Sequence, residues 1–418
     1  MLTLPAAYNP PMPNGALSHV RVLDLSRVLA GPWATQVLAD LGAEVIKIER
    51  PGSGDETRGW GPPWLDAGRE GPRTAAYFCS TNRGKRSVTV DLATPEGQAI
   101  VRRLAERADV VVENYKVGAL ARHGLGHPEL LALNPRLVYC SISGFGQDGP
   151  YRDRPGYDFL VQAMGGLMSV TGEPDGVPGG GPVKVGVALT DLLTGMYAST
   201  AILAALAHRD RTGEGQHLDL SLLDVQVATL ANQAESYLAT GVPPRRLGNA
   251  HPSIVPYQAF ATADGHLVLA VGNDAQFARF CGVAGRPELA RDPRFATNAA
   301  RVAARVELVG ILAALLAMRP TAAWVSALEA ADVPCGPIND LAQVFADPQV
   351  RHRGLRVELP RPGAAPVPVV ASPIRLSRTP VRYARPPPGV GEHTREVLVE
   401  VLGMTEAEVA ALRERGVV

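Results

Sequence analysis

Asp191 stands in the run Gly186-Val187-Ala188-Leu189-Thr190-Asp191-Leu192-Leu193-Thr194-Gly195, where a strand or loop turns into an apolar helix. Met196 to Ala207 continue that helix, and no other acid follows until Asp210. An aspartate at such a junction has an ordinary explanation. As an N-cap, its side chain accepts a backbone N–H from the first helical turn. The rest of the chain has to decide between that role and a chemical one.

Cations cluster at the junctions of the segments that read as strands. Arg50, directly after Glu49, offers a guanidinium to a phosphate or an adenine. Lys85-Arg86, Lys116 and Arg122 stand at similar places. Each alone is a surface residue. Together they could hold an anionic handle, because open α/β sheets bind ligands beyond the carboxyl ends of their strands. Gly144–Pro150 and Gly172–Gly186 are glycine-rich loops, both ahead of Asp191 in the sequence and expected to flank the acidic site, able to exclude water or simply to turn. His251 and His393 are candidate bases, although Gly391-Glu392-His393-Thr394 reads better as a helix start. No G-x-S-x-G elbow is present, which disfavours hydrolases. Glu49 closes a second strand as a ribose-binding acid would. The preceding turn, Arg27-Val28-Leu29-Ala30-Gly31-Pro32-Trp33, lacks the glycines a dinucleotide needs.

Composition bounds the partners. The chain has 418 residues, and Lys plus Arg equals Asp plus Glu at 41 each, so its overall field favours neither nucleic acid nor an anionic membrane. Cys79, Cys140, Cys281 and Cys335 lie far apart, with no metal-ligand spacing, and suit reduced thiols. Residues 1–19 lack the basic start and apolar core of a signal peptide. The apolar stretch Ala198–Ala207 falls short of the roughly 18 residues of a membrane span. A cytoplasmic protein without a metal is the expectation.

The elements that must position these residues alternate. Strands are expected at Val20–Leu25, Ala43–Glu49, Ser87–Asp91, Asp109–Glu113, Leu137–Ile142 and Gln216–Ser221, with helices at Gly31–Leu41, Thr94–Arg107 and after Asp191. Such alternation predicts a mainly parallel α/β sheet. One helix is expected over Leu222–Thr240, then a hairpin around Asp264-Gly265, then helices at Asp274–Cys281, Ala299–Ala317 and Thr321–Ala331. The partition read from this is a flexible 1–18, a large domain of 19–240 with 341–418, and a small domain of 241–340. The extended tail Gln349–Pro388 and the helix Gly391–Leu402 are expected to return to the large domain.

Val22 to Pro32, Gly42 to Pro51, Asn82-Arg83-Gly84-Lys85-Arg86-Ser87, Val112-Glu113-Asn114-Tyr115 and Gly186 to Gly195 together resemble the class III CoA-transferases, the family of formyl-CoA and carnitine CoA-transferases. Ala250–Phe260 and Ala384–Pro388 are most similar to the succinyl-CoA:glutarate CoA-transferase branch. The resemblance implies an α/β fold with a discontinuous Rossmann-like large domain plus a smaller α+β domain, in an interlocked, ring-like homodimer. It implies that Asp191 is the catalytic aspartate. It further implies CoA contacts at Leu29, Ala30, Arg50, Val90, Ala93, Asn114, Tyr115, Lys116, Arg122, Gly156, Tyr157 and Asp158. Ala93 stands where some members carry Lys. The glycine flap of formyl-CoA transferases is not visible, which argues against oxalate or formate.

The implied reaction moves coenzyme A from an acyl-CoA to a small carboxylic acid through an aspartyl anhydride and an enzyme thioester, with no permanently bound cofactor. The helix N-terminus would steady the developing oxyanion. An α-methylacyl-CoA racemase shares the fold but places a His where Gly156-Tyr157-Asp158 has a phenol, a poor base at neutral pH. A non-catalytic acyl-CoA-binding protein is the third possibility. A dicarboxylic substrate would want a cation such as Arg83, Arg245 or Arg246.

Overall fold

The computed structural model describes residues 15–65, 74–361 and 363–418. The chain forms two compact units. The larger runs to Gly166, resumes over Gly186–Ala231 and ends with Arg351–Val418; the smaller comprises Leu167–Val185 and Asn232–Val350. These limits differ from the partition at 240 and 341. Gly248 N–H donates to the Gly172 carbonyl at 3.0 Å, and Arg246 pairs with Asp175, which ties the 167–185 segment to the smaller unit. The helix expected over 222–240 is also broken. Ala231, at φ +44°, separates Leu222–Thr229 from Asn232–Thr240. Of the expected flexible 1–18, residues 1–14 lie outside the described residues, and Gly15–Ser18 is a turn whose Leu17 N–H donates to Leu41.

The larger unit is built on six parallel strands: β1 (Arg21–Asp24), β2 (Glu44–Glu49), β3 (Lys85–Thr89), β4 (Val110–Glu113), β5 (Val138–Ser143) and β6 (Gln216–Ser221), in the order β3-β2-β1-β4-β5-β6. Sheets covered on both faces need strands apolar on both sides, and Val22, Leu23, Val110, Val111 and Val112 are accordingly buried. One face packs under Ile100 and Leu104 of the Pro95–Ala105 helix and under Val397, Leu398 and Leu412 of the C-terminal helices. The tail thus returns as expected. Its 356–370 region pairs as a hairpin of Arg356–Arg361 with Ala364–Val370, and a further helix occupies Glu406–Glu414.

The other face packs under α1 (Ala30–Asp40) and the helix Leu189–Thr212. By length and composition alone this 24-residue helix is apolar enough to cross a membrane. Its apolarity has another cause, since Ala198, Ile202, Ala205 and Leu206 form part of the core beneath the sheet. Gly195 lets the two helices approach closely. A Cβ there would stand 2.7 Å from the Ala30 carbonyl oxygen and 2.9 Å from Trp33.

The order reverses between β1 and β4. Their carboxyl ends therefore open the crevice where open α/β sheets take ligands.

The smaller unit has an antiparallel sheet of Tyr257–Ala261, His266–Ala270 and Cys335–Pro337. Phe260, Leu269, Phe280, Leu312 and Trp324 form its core. The helix expected over 299–317 is two, Asn298–Ala303 and Arg305–Leu316.

Candidate active site

Asp191 is the third residue of its helix, and the N-cap position belongs to Ala188, which supplies no side-chain bond. The capping role falls to Asp158. Its Oδ1 accepts the N–H groups of Thr190 at 2.9 Å and Asp191 at 3.3 Å, and its Oδ2 accepts Gln162 Nε2 at 2.7 Å. The Thr190 hydroxyl donates to Gln226 Oε1 at 2.6 Å, which fixes the start of the helix from the other side. The sequence motif therefore divides into parts. Thr190 and Gly195 hold the helix in place, and Asp191 is left for something else.

Among the described residues nothing donates a hydrogen bond to the half-buried Asp191 carboxylate, and no cation offsets it. Burial, and then the like charge of Asp158, push its pKa up to about 7. Tyr77 lies within its field: burial and then the Asp191 charge push the phenol up to about 12. Trp60 meets the Tyr77 ring edge-on, with centroids 5.2 Å apart. Sequence patterning gave no hint of either aromatic residue, because Tyr77 lies in the four-residue helix Ala76–Cys79 and Trp60 follows the short Glu56–Gly59 turn, both too short for a periodic signal.

Asp191 opens into a cleft of about 240 Å³ lined by Leu29, Ala30, Asn114, Tyr115, Lys116, Gly156 and Tyr157, together with Trp60, Arg152 and Arg154. Gly156 is required here. A Cβ on Gly156 would sit 2.4 Å from the Gly144 Cα, and one on Gly144 would sit 2.6 Å from the Gly156 Cα, so two loops meet only because both residues are glycine. Asp158 is buried next to this wall and is absent from its surface.

A second cleft of about 800 Å³ is lined by Arg50, Val90, Ala93 and Tyr115, with Gly54 and His123. Arg27, Glu56 and Tyr115 border both clefts. Arg27 pairs with Glu56 and lies over the Tyr115 ring, 4.8 Å from its centroid, so these three side chains form the partition.

Several expected ligand groups are elsewhere. Arg122 is exposed on the Ala121–His123 turn and lines neither cleft. Lys85 is fully buried and bonds Asp24, Pro32 and Asn82. Arg86 pairs with Glu44, Glu396 and Glu400, and Arg83 forks onto Asp40. Arg86 meets Glu44 at the amino end of β2 and Arg83 meets Asp40 at the end of α1, whereas Lys85 reaches Asp24, the last residue of β1. Arg245 and Arg246 belong to the smaller unit, as do His251 and the Gly172–Val185 segment. His393 Nδ1 accepts the Ser87 N–H at 3.3 Å at the start of the Thr394–Glu400 helix, and burial lowers its pKa. Among the described residues no cluster of His, Cys, Asp and Glu could hold a metal.

The arrangement is a desolvated carboxylate on the wall of a cleft at a sheet's reversal point, with a larger cleft of mixed charge, Arg50 among its lining, next to it. Comparison with known proteins accords with this geometry. The family model described as CoA-transferase family III matches residues 17–394. A succinate–glutarate CoA-transferase of Agrobacterium fabrum is 54% identical over 93% of this chain and 97% of its own. The human succinyl-CoA:glutarate CoA-transferase is 45% identical over 96% of this chain and 90% of its own. A crystal structure of a CaiB/BaiF family protein from Brucella suis superposes with a TM-score of 0.83 at 48% identity, covering 93% of this chain and all (100%) of that one. The chain belongs to CoA-transferase family III.

Proposed function

We propose that this enzyme transfers CoA from succinyl-CoA to a short dicarboxylic acid such as glutarate, with Asp191 as the nucleophile. The observation that carries the proposal is the Asp191 carboxylate itself, with neither a hydrogen-bond donor nor a compensating cation among the described residues, and open to the cleft. The family relatives named for succinate and glutarate support the choice of acids.

In the first step an Asp191 oxygen adds to the thioester carbonyl, the C–S bond breaks, and CoA leaves as thiolate with the electron pair. The thiolate then attacks the Asp191 γ-carbon of the mixed anhydride. The bond from that carbon to the bridging oxygen breaks, succinate leaves carrying the oxygen that Asp191 supplied, and an enzyme thioester remains. The acceptor carboxylate attacks that γ-carbon and expels the thiolate again. The thiolate finally attacks the acceptor's acyl carbon and regenerates the Asp191 carboxylate. No net proton is moved, so the site needs an ionised Asp191 rather than an acid–base pair.

The clefts divide the substrate naturally. The larger one, rimmed by Arg50 and walled by Val90, Ala93 and Tyr115, would take the nucleotide end of CoA. Leu29, Ala30, Lys116, Gly156 and Tyr157 would line the path of the thioester toward Asp191. Phe159, Leu160 and Met164 on the Asp158–Met164 helix and Met196, Tyr197 and Leu203 on the Asp191 helix are exposed apolar residues, which suits burial in an interlocked homodimer. Four free cysteines suit a reducing cytoplasm.

Mass spectrometry after incubation with succinyl-CoA tests the mechanism. A CoA adduct on the Asp191 peptide is expected. Deuterium wash-in at the α-carbon without acyl exchange would replace this reading with a racemase, and neither event would leave a binding protein.

A further inference from the structure

Ser26, Arg27 and Val28 connect β1 to α1 outside any helix or strand, yet side chains meet their backbone groups one after another. Ser26 N–H donates to Asp24 Oδ1 at 2.9 Å, and its carbonyl accepts Lys47 Nζ at 2.8 Å. Arg27 N–H donates to Asn114 Oδ1 at 2.8 Å, and its carbonyl accepts Asn114 Nδ2 at 2.6 Å. Val28 N–H is shared between the two Asp55 oxygens at 3.4 and 3.3 Å. Asp55 is held in turn by Lys47 Nζ at 3.0 Å and by the Thr57 N–H and hydroxyl.

Val28 sits at φ +69°, a conformation that costs a β-branched residue about 1–3 kcal/mol and persists only where the surroundings over-determine it. A plain strand-to-helix connection has no use for that. The next two residues explain it. Leu29 and Ala30 continue the cleft wall that Arg27 and Val28 begin and that Asp191 shares. Asn114 follows β4 and Arg27 follows β1, so their reciprocal bonds bridge the two loops at the point where the strand order reverses.

We propose that Asn114, together with Asp55 and Lys47, is a positioning residue: it locks the strained Ser26–Val28 turn so that Leu29 and Ala30 stand fixed beside Asp191, and its effect on catalysis runs through that turn. The kinetic side of this proposal rests on the transferase reading. The structural side does not.

The test is a cycle of Asn114→Ala and Val28→Gly, read by steady-state kinetics and by hydrogen exchange across residues 24–30. Glycine adopts positive φ without strain, so the turn then needs less holding. Asn114→Ala in the wild-type background should lower kcat by about 10²-fold, the scale of an ångström-sized misplacement. The succinyl-CoA KM should stay within about threefold, and exchange over the turn should quicken. With Gly at position 28 the same substitution should cost roughly tenfold less. Asn114→Asp keeps the acceptor but loses the donor, and should fall in between; it carries the cycle if the alanine variant does not fold. A raised KM with kcat intact, an equal loss in both backgrounds, or unchanged exchange would overturn the proposal. A wild-type protein that transfers no CoA would instead overturn the transferase reading, and the exchange measurement would still decide the role of Asn114.

Discussion

Burial is the largest influence on two carboxylates of the larger unit, Asp24 and Asp191, yet they come out opposite. Asp24 is fully buried at the end of β1. Burial alone would raise its pKa, but the ammonium groups of Lys85 and Lys47, with the Ser26 and Thr35 hydroxyls, outweigh that and hold it at about 2. Asp191 is less buried, has Asp158 as its charged neighbour among the described residues, and is pushed up to about 7. The comparison teaches that burial does not make a carboxylate reactive; what stands next to it does. Asp24 has its lone pairs occupied and serves the fold. Asp191 keeps its own free, and an oxygen with free lone pairs can attack a thioester.

Four substitutions break or sharpen that contrast. Asp191→Asn should lower CoA transfer by roughly 10³-fold or more while the protein still binds CoA, because the nucleophile alone is lost. Initial rates and calorimetric titration check this. Lys85→Met should leave the Asp24 charge buried with one partner fewer, at a cost of about 3–5 kcal/mol, read from the denaturant midpoint. Arg50→Ala should raise the KM for succinyl-CoA by roughly tenfold with kcat little changed, as expected for a charge that binds the nucleotide end. Asp158→Asn should move the acid limb of kcat/KM to lower pH, since the like charge is removed while Oδ1 still accepts the Thr190 N–H. A pH–rate profile on both proteins decides it.

The same upward shift has a stability consequence of definite sign. Unfolded Asp191 loses its proton near the ordinary value of 3.8, and folded Asp191 keeps it until about 7. Between those values the folded state holds the extra proton, so this residue's contribution falls as pH rises through the window. Asp191→Asn should abolish that slope. Thermal melts of the two proteins across the same pH range measure it.

Much of the fold was legible because local pattern and tertiary role coincide. β6 matches its expected limits, and the other strands of the parallel sheet lie within two residues of theirs, since the inner strand β4 is a buried valine run and the edge strand β6 alternates, with Leu218 and Leu220 against the core. Thr94 caps its helix through the Gly97 N–H at 3.1 Å, as Thr-Pro-Glu foretold. Breaks at Ala231 and Ala304 were not legible, because alanine favours helix and nothing local marks a stop there. The assignment of the 167–185 segment to the smaller unit also escaped. It depends on hydrogen bonds from Arg246 and Gly248, which lie more than sixty residues away.

The candidate site shows the same limit more sharply. Motif order located Asp191, Leu29, Ala30, Tyr115 and Tyr157, and the structure gathers them on one cleft. A sequence lists cations without their partners, so Lys85, Arg86 and Arg83 read as ligand groups until each is found against a carboxylate. Asn114 lines the cleft as expected, and only the structure shows that its amide also holds the backbone of Arg27.

The sequence by itself determined the alternating elements, the family and the single acid at position 191, because periodicity and motif order are properties of neighbours along the chain. The tertiary structure alone decided which charges are neutralised, which aspartate caps the helix, and why a valine is held at positive φ. Those outcomes depend on groups brought together from distant strands, and only the folded sheet supplies the distances.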